Sequence, residues 1–444
     1  MIGALICAVW IRFWGNASGF ESYVELPGFG FQAATFVGIV QICFYYCDLY
    51  DFEVLRQKSE DLLALGQSIG SGCLLLGVLY FVFPELLIGR GVFFIGVALA
   101  TGAILLNRTL LERVWQHAAP AETVLIIGTG GLAKTVAEEL GNRVDLNVRV
   151  AGFLAPTPAA AKVTDLVAGP VLGSGEDLLG AVQKNSITRI VVALEDQRGV
   201  LPTRDLVRLR VQGIRVEDAT STISSLTGRV WLETVKPSWF VFSDGFSRST
   251  VTLIAKRAID LTCGILGLAL SMPIMAVIAL MVWLDSKGPV VYRQRRVGWR
   301  GASFELLKFR SMRANAEANG AQWAVDHDPR VTRIGRFLRK YRLDELPQFV
   351  NVIRGDMSFV GPRPERPEFV ETLRKQISYY DERHSVRPGL TGWAQVKYPY
   401  GSNVTDAVRK LEYDLFYLKN MSVLFDCAII FDTVRIVLSG RGGK

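Results

Sequence analysis

The residues best equipped for chemistry lie between Arg339 and Pro364, in RKYRLDELPQFVNVIRGDMSFVGPRP. Asp344 and Glu345 are adjacent carboxylates. Leu346, Phe349, Val350 and Ile353 follow at helical spacing, and Gly355 stands where a helix would stop. Pro347 falls in the first turn, where its missing N–H costs nothing. The spacing predicts a helix beginning at Asp344, with both carboxylates at the positive end of its dipole beside unpaired backbone N–H groups. Such a place keeps a carboxylate ionised and also accepts a phosphate. Arg336, Arg339, Lys340, Arg342 and Arg363 gather around the pair, a density of cations that suits an anionic substrate. An acid at a helix start is ordinarily a cap. Here its company differs: cations precede it and GPRP follows, where Pro362 and Pro364 fix the backbone on either side of Arg363.

The rest of the chain must hold that stretch. At 444 residues it exceeds one ordinary core, so two or three domains are expected. Half the residues are hydrophobic and the mean hydropathy is +0.26, values that suggest membrane segments. Residues 248–444 carry 31 Lys and Arg against 19 Asp and Glu, a net +12, which leaves −4 for everything before. A basic C-terminal part points to phosphates, nucleotides or lipid headgroups. The cations are interleaved with long apolar runs, so no nucleic acid is expected. The six cysteines form no CxxC pair and the three histidines do not cluster. Neither a disulfide framework nor a zinc site is implied, and acid–base work falls to carboxylates.

Residues 1–120 read as membrane helices. Phe31 to Tyr46, Leu62 to Phe83 and Val92 to Leu111 are apolar runs near or above spanning length, and Ile2 to Trp14 reads as a shortened first span or a signal peptide. Arg56 and Lys58 place the 47–61 loop in the cytoplasm by the positive-inside rule, and four spans would put both termini there. Residues 121–225 change character: ETVLIIGTGGLAKTVAEEL is a buried strand, a glycine turn and a helix, the opening of a Rossmann-like α/β domain. Strand-like runs follow at Val148 to Leu154, Ile187 to Leu194 and Ile214 to Glu217. Gly128, Gly130 and Gly131 invite a nucleotide reading, yet strand two ends in FLAP, without an acid for a ribose hydroxyl, and alanine stands where a third glycine belongs. A structural α/β domain is the favoured reading. Residues 226–249 form a polar-aromatic connector.

Leu261 to Leu284 are 24 residues without charge, flanked by Lys256 and Arg257 on one side and Lys287, Arg293, Arg295 and Arg296 on the other. Both ends therefore prefer the same side of a membrane. Pro273 lies near the middle, and Ser271 can bond a carbonyl that the proline leaves free. A helix that enters, bends at Ser271 and Pro273 and returns meets both facts, over about 259–285. Farther on, Lys308 and Arg310 alternate about Phe309 as on one face of a strand. Residues 387–396, RPGLTGWAQV, are turn-rich. The stretch 413–438 mixes apolar stripes with Lys419, Asp426 and Arg435, as a helix lying on a membrane surface does.

LDELPQFVNVIRGDMSFVGPRP resembles the core of the bacterial sugar transferases, the monotopic polyprenyl-phosphate phosphoglycosyl transferases. The resemblance runs from about Lys256 to Leu438. Gln294, Arg296, Gly298, Lys308 and Arg310 match motif positions, with Val297 where the family has proline and Ser-Met-Pro where it commonly has Ser-Pro. The segment 226–249 is similar to the large, exopolysaccharide-associated branch, often found near exosortase systems. That branch is built as a membrane helical bundle, a Rossmann-like domain and a mainly helical transferase, here 250–444, with a re-entrant membrane helix.

The resemblance implies transfer of a phosphosugar from a UDP-sugar to undecaprenyl (polyprenyl) phosphate, with release of UMP. It implies attack by Asp344 and a covalent phosphosugar–aspartyl intermediate. Glu345 would hold Mg2+, Lys308, Arg339 and Arg363 would clamp phosphate oxygens, and Asp414 would contribute. Gln294, Arg296, Arg310, Pro362 and Pro364 complete the expected substrate site. The expected setting is the bacterial inner membrane, with the catalytic part facing the cytoplasm and the chain in a homo-oligomer, a dimer. Two other readings stand beside this one: a non-catalytic scaffold or nucleotide sensor, and a tethered sugar-nucleotide dehydratase, which the missing Tyr-x-x-x-Lys pair disfavours.

Overall fold

The computed structural model of the chain describes residues 2–46, 58–118, 122–143, 146–157, 169–194, 200–235, 237–243, 245–246, 249–313, 316, 328–398 and 403–439. The chain forms two compact units, Met1–Glu122 with Arg143–Arg149, and Thr123–Asn142 with Val150–Lys444. Much of the 47–61 loop, including Arg56, lies outside the described residues.

The first unit is helical: α1 (Ile2–Arg12), α2 (Ala17–Val24), α3 (Phe29–Tyr46), α4 (Lys58–Val82) and α5 (Arg90–Ala118). Phe29–Tyr46 and Leu65–Val82 are 18-residue stretches apolar enough to cross a membrane, about 27 Å each. The expected run at Val92 to Leu111 falls inside α5, whose apolar part is Arg90–Ala103, and α1 is an 11-residue helix. Leu5, Val9, Phe36, Val40, Leu76 and Val92 interlock in one buried cluster. Phe81 and Phe94 point outward, 88% and 70% exposed, as lipid-facing side chains do.

The second unit opens with an α/β layer: β1 (Glu122–Ile127), α6 (Gly131–Asn142), β2 (Val148–Ala155), β3 (Val171–Ser174), α7 (Leu178–Asn185), β4 (Arg189–Val192), α8 (Thr203–Val211), β5 (Arg215–Asp218) and α9 (Ala219–Thr227). The strand order is β3-β2-β1-β4-β5, and β1/β4, β2/β3 and β4/β5 pair in parallel. Val124 to Ile127 and Ile190 to Val192 are buried because helices cover both faces of the sheet. β3 escapes the sequence pattern: it is a four-residue edge strand, half-buried throughout.

The connector carries α10 (Pro237–Phe242). Then come α11 (Thr250–Asp285), β6 (Val291–Val297), β7 (Ser303–Phe309), α12 (Arg333–Lys340), α13 (Gln348–Arg354), β8 (Ser358–Val360), α14 (Pro367–Gln376), β9 (Gly389–Thr391), α15 (Trp393–Lys397), α16 (Val404–Asn420) and α17 (Val423–Ser439).

α11 runs 36 residues with Pro273 inside it, about 54 Å of helix. Ser271 Oγ donates to the Leu268 carbonyl at 3.3 Å. Near its start, Lys256 donates to Asp426 at 2.7 Å, to the Val360 carbonyl at 2.8 Å and to Tyr417 at 3.0 Å. Asp260 accepts from Ser358 Oγ and the Phe359 N–H. Near its end, Ile278 and Val282 pack on Phe309 and Leu338, and Arg310 donates to the Val282, Ser286 and Pro289 carbonyls. Both ends are thus bonded to the same body. Between them Leu270, Met272, Ile274, Val277, Leu280 and Trp283 are exposed.

The glycine turn after β1 has a packing reason. Gly128 has φ +131°, and a Cβ there would run into the Ala193 carbonyl as β1 passes β4, whereas a Cβ on Gly131 would meet open space. Gly128→Ala should destabilise the α/β layer by about 2 kcal/mol or more, while Gly131→Ala should leave thermal unfolding unchanged. Equal behaviour of the two variants would contradict this packing role.

Candidate active site

The β6/β7 hairpin pairs Tyr292 with Lys308, Gln294 with Leu306 and Arg296 with Phe304. Its period-two alternation turns Tyr292, Gln294, Arg296 and Lys308 to a cavity and leaves Arg293 and Arg295 exposed. Asn351, buried on α13, ties this hairpin down: its side chain accepts from the Leu307 N–H at 3.0 Å and donates to the Glu305 carbonyl at 2.7 Å. α12 starts at Thr332, which caps Gly335, and turns Leu338 into the core and Arg339 to the cavity.

Asp344 is not where a helix begins. Arg342 takes a left-handed conformation, φ +54°, and Leu343–Glu345 form one 3-10 turn; α13 starts at Gln348, after Pro347. Helical spacing at Leu346 to Ile353 and the stop at Gly355 are as expected, but the start falls later because Asp344 and Glu345 turn inward to cations. Both are buried, 7% and 8% exposed. Glu345 Oε1 accepts from Arg363 Nη2 at 2.6 Å and from Lys308 Nζ at 3.4 Å, and Arg342 lies 4.0 Å from Oε2. Arg363 also donates to Gln395 at 2.9 Å, and Arg339 to Ser311 at 3.2 Å.

GPRP works through its carbonyls. That of Pro362 accepts from the Gly389 N–H, that of Arg363 from Arg383 and that of Pro364 from Arg296. Three successive backbone anchors therefore aim the Arg363 side chain. Arg296 also grips Gln294 at 2.7 Å and Glu365 at 3.4 Å. Arg310, expected here, edges the cavity while its guanidinium is bonded to the end of α11. Asp414 faces the cavity from α16 and pairs with Arg383 at 2.9 Å. Arg383, Gln395, Glu365 and Lys410 are cavity residues that the sequence reading missed. Arg383 and Gln395 flank the turn-rich RPGLTG stretch, and their placement depends on the Gly361/Gly389 contact, which no local pattern reveals.

The cavity measures about 560 Å3, and among its lining residues are ten Lys and Arg against three Asp and Glu. Its charge calls for an anion. Burial pushes Asp344 above the ordinary aspartate range, with Lys308 opposing and Glu345 reinforcing the shift. Glu345 is buried too, but Arg363, Lys308 and Arg342 outweigh burial and hold it well below the ordinary range. Burial lowers Lys308, against the pull of Glu345, and raises Asp414 to about 6 against Arg383. The two adjacent carboxylates therefore differ: Glu345 is a fixed anion, and Asp344 a desolvated, more basic one.

Glu345, beside the expected nucleophile Asp344, is the candidate metal donor. Among the described residues no group of three His, Cys, Asp or Glu gathers. One carboxylate suits Mg2+, which takes one or two and completes its shell with substrate phosphate and water.

Removing either acid should have opposite effects on stability. Glu345→Gln leaves Arg363 and Lys308 without their counter-charge and should cost on the order of 3 kcal/mol. Asp344→Asn relieves a buried carboxylate and should unfold at or above the wild-type temperature. Thermal unfolding of the detergent-solubilised full chain checks both, and the reverse order would refute the division of roles.

A family model described as bacterial sugar transferase matches residues 251–440, and one described as CoA-binding domain matches residues 46–201. The chain is 39% identical over 266 residues to the UDP-N-acetylgalactosamine-undecaprenyl-phosphate N-acetylgalactosaminephosphotransferase of Aeromonas hydrophila, covering 60% of this chain and 62% of that protein. It is 33% identical over 330 residues to the undecaprenyl-phosphate glucose phosphotransferase of Komagataeibacter xylinus, covering 72% and 60%. The chain thus spans about three fifths of the length of these two relatives. An uncharacterized sugar transferase of Haemophilus influenzae is 30% identical over 389 residues, 81% of this chain and 78% of that protein. With an Asp-Glu pair, GPRP and a basic cavity inside the matched region, the chain belongs to the bacterial sugar transferase family.

Proposed function

We propose that the protein transfers a phosphosugar from a UDP-sugar to undecaprenyl phosphate in a bacterial membrane and releases UMP, a first membrane step of exopolysaccharide assembly. The observation that carries this reading is a buried carboxylate, Asp344, in a cavity whose cations outnumber its acids, inside a chain whose relatives bear the names of such transferases. Those relatives are named for N-acetylgalactosamine and for glucose.

Asp344 attacks the phosphorus that bears the sugar, the bridging P–O bond breaks, and UMP departs. An oxygen of the lipid phosphate then attacks the same phosphorus and frees the aspartate. Splitting the exchange makes each half easier. Desolvation makes Asp344 the more basic nucleophile, while Lys308, Arg339 and Arg363 offset charge on the phosphoryl oxygens. Glu345, with the diphosphate, would hold Mg2+, which supplies further charge neutralisation when bound.

α11 would enter the membrane, bend near Ser271 and Pro273 and return. Support comes from bonds at both its ends to one body and from its exposed apolar middle. A straight span would place those ends on opposite sides. The catalytic part would then face the cytoplasm with Asp344 at headgroup level, where the acceptor phosphate lies.

A UDP-sugar given without polyprenyl phosphate should leave a phosphosugar mass on the peptide containing Asp344, with UMP released at up to about one per chain. Asp344→Asn should lose the adduct and several orders of magnitude of turnover, on the order of 10^4-fold. An adduct on another residue, or near-normal turnover by Asp344→Asn, would sink the mechanism. For topology, cysteines placed at Gly301 and at Ser174 should both resist an impermeant reagent added from the periplasmic side. Labelling at Gly301 alone would rule out the re-entrant arrangement.

A further inference from the structure

The cavity holds a cation whose purpose neither the sequence motifs nor the Glu345 contacts explain. α16 turns Ala407, Lys410 and Asp414 toward the cavity at spacings of three and four, one face of a helix. Asp414 is matched by Arg383, which also donates to Tyr380 Oη at 2.8 Å and to the Arg363 carbonyl at 2.9 Å. That pair braces the wall. Lys410 stands one turn earlier, with Glu365, Arg363, Arg383 and Asp406 among its charged neighbours. Glu365 is shared with Arg296 at 3.4 Å. Glu365 and Asp414 thus stand beside Arg296, Arg383 and Lys410, while Arg363 is already paired with Glu345.

The charged neighbours of Asp344 are Lys308, Glu345, Arg339 and Arg363. Arg363 joins the two sides: its side chain donates to Glu345 at 2.6 Å, and its carbonyl accepts from Arg383, the partner of Asp414 on α16. Displacement at phosphorus needs the entering and leaving oxygens roughly in line. Lys308 and Arg339 stand beside Asp344, on the entering side. The leaving oxygen lies on the side of the phosphorus away from Asp344, and α16 supplies the cavity wall beyond Arg363.

We propose that Lys410 holds the departing nucleoside phosphate, an inference that rests on the phosphoglycosyl transfer reading above. In the first half-reaction an Asp344 Oδ–P bond forms and the bridging P–O bond breaks. Its electron pair stays on the nucleoside phosphate, which gains one negative charge, and no proton or redox partner is required. Lys410 meets that charge as it forms. In the second half-reaction the nucleotide has gone, so Lys410 has no part in the attack by lipid phosphate.

The test compares the two halves in the full-length, detergent-solubilised protein, with UDP-N-acetylgalactosamine or UDP-glucose as donor, whichever labels the wild type. Lys410→Gln should slow adduct formation by about 100-fold, while transfer from preformed adduct to undecaprenyl phosphate stays within about threefold of wild type. Inhibition by added UMP should weaken in parallel, and Lys410→Arg should recover most of both. Lys410→Met, which keeps the stem and drops the charge, replaces Lys410→Gln should that variant unfold. Equal slowing of both halves, or unchanged UMP inhibition in a folded neutral variant, would overturn the role of Lys410 alone. A wild type that forms no adduct with either donor would overturn the transfer reading and this inference with it.

Discussion

The ion pair between Glu345 and Arg363, 2.6 Å long with Lys308 at 3.4 Å from the same oxygen, is the interaction on which the cavity depends. Cations this densely packed repel one another and lose hydration. One buried carboxylate that is never asked to react makes their concentration tolerable. It also separates the fates of two neighbours in sequence. Because Arg363 and Lys308 are engaged with Glu345, Asp344 is stabilised less directly, and burial raises its affinity for a proton. Adjacent acids acquire different chemistry from different surroundings.

Such an arrangement is only as good as its anchors. The carbonyls of Pro362, Arg363 and Pro364 are each bonded to a separate element, so the arginine between the prolines has little freedom to drift. The same rigidity reaches α11. Val360, just before GPRP, accepts from Lys256 of α11, whose ammonium is buried against Asp426 and Tyr417. Removing one partner of such a pair typically costs about 3–5 kcal/mol. The start of α11 and the phosphate clamp are therefore fixed by one network.

How much of this was legible in the sequence follows from the range of each interaction. Helical spacing through Ile353, the stop at Gly355 and the buried strand before Gly128 are local patterns, and they read correctly. The start of α13 did not. Asp344 has the chemistry of a cap, but tertiary pairing to cations won over the capping preference. Arg310 looked like a partner to Lys308 on one strand face; it lies just beyond β7 and is drawn to the carbonyls at the end of α11. Lys410 and Arg383 were invisible because only the packing of α16 beside the GPRP segment brings them to the cavity. Charge composition announced an anion site, while its far wall required the fold.

That far wall is also set from outside. Glu412 lies between Lys410 and Asp414 in sequence and points away from the cavity, 2% exposed. Its side chain pairs with Arg229 at 3.3 Å and Arg409 at 3.0 Å and accepts from the Leu232 N–H, while its carbonyl accepts from Val230. Trp393, at the start of α15, donates to the Gly228 carbonyl at 2.7 Å. The segment leaving the α/β layer is thus bonded to the helix that presents Lys410 and Asp414. Rotating α16 enough to withdraw either residue would break the buried Glu412–Arg229 pair and the hydrogen bonds from the Val230 and Leu232 N–H groups. The connector is therefore part of what aims the cavity wall, and the α/β layer, whose glycine turn has a packing reason of its own, is joined through it to the site.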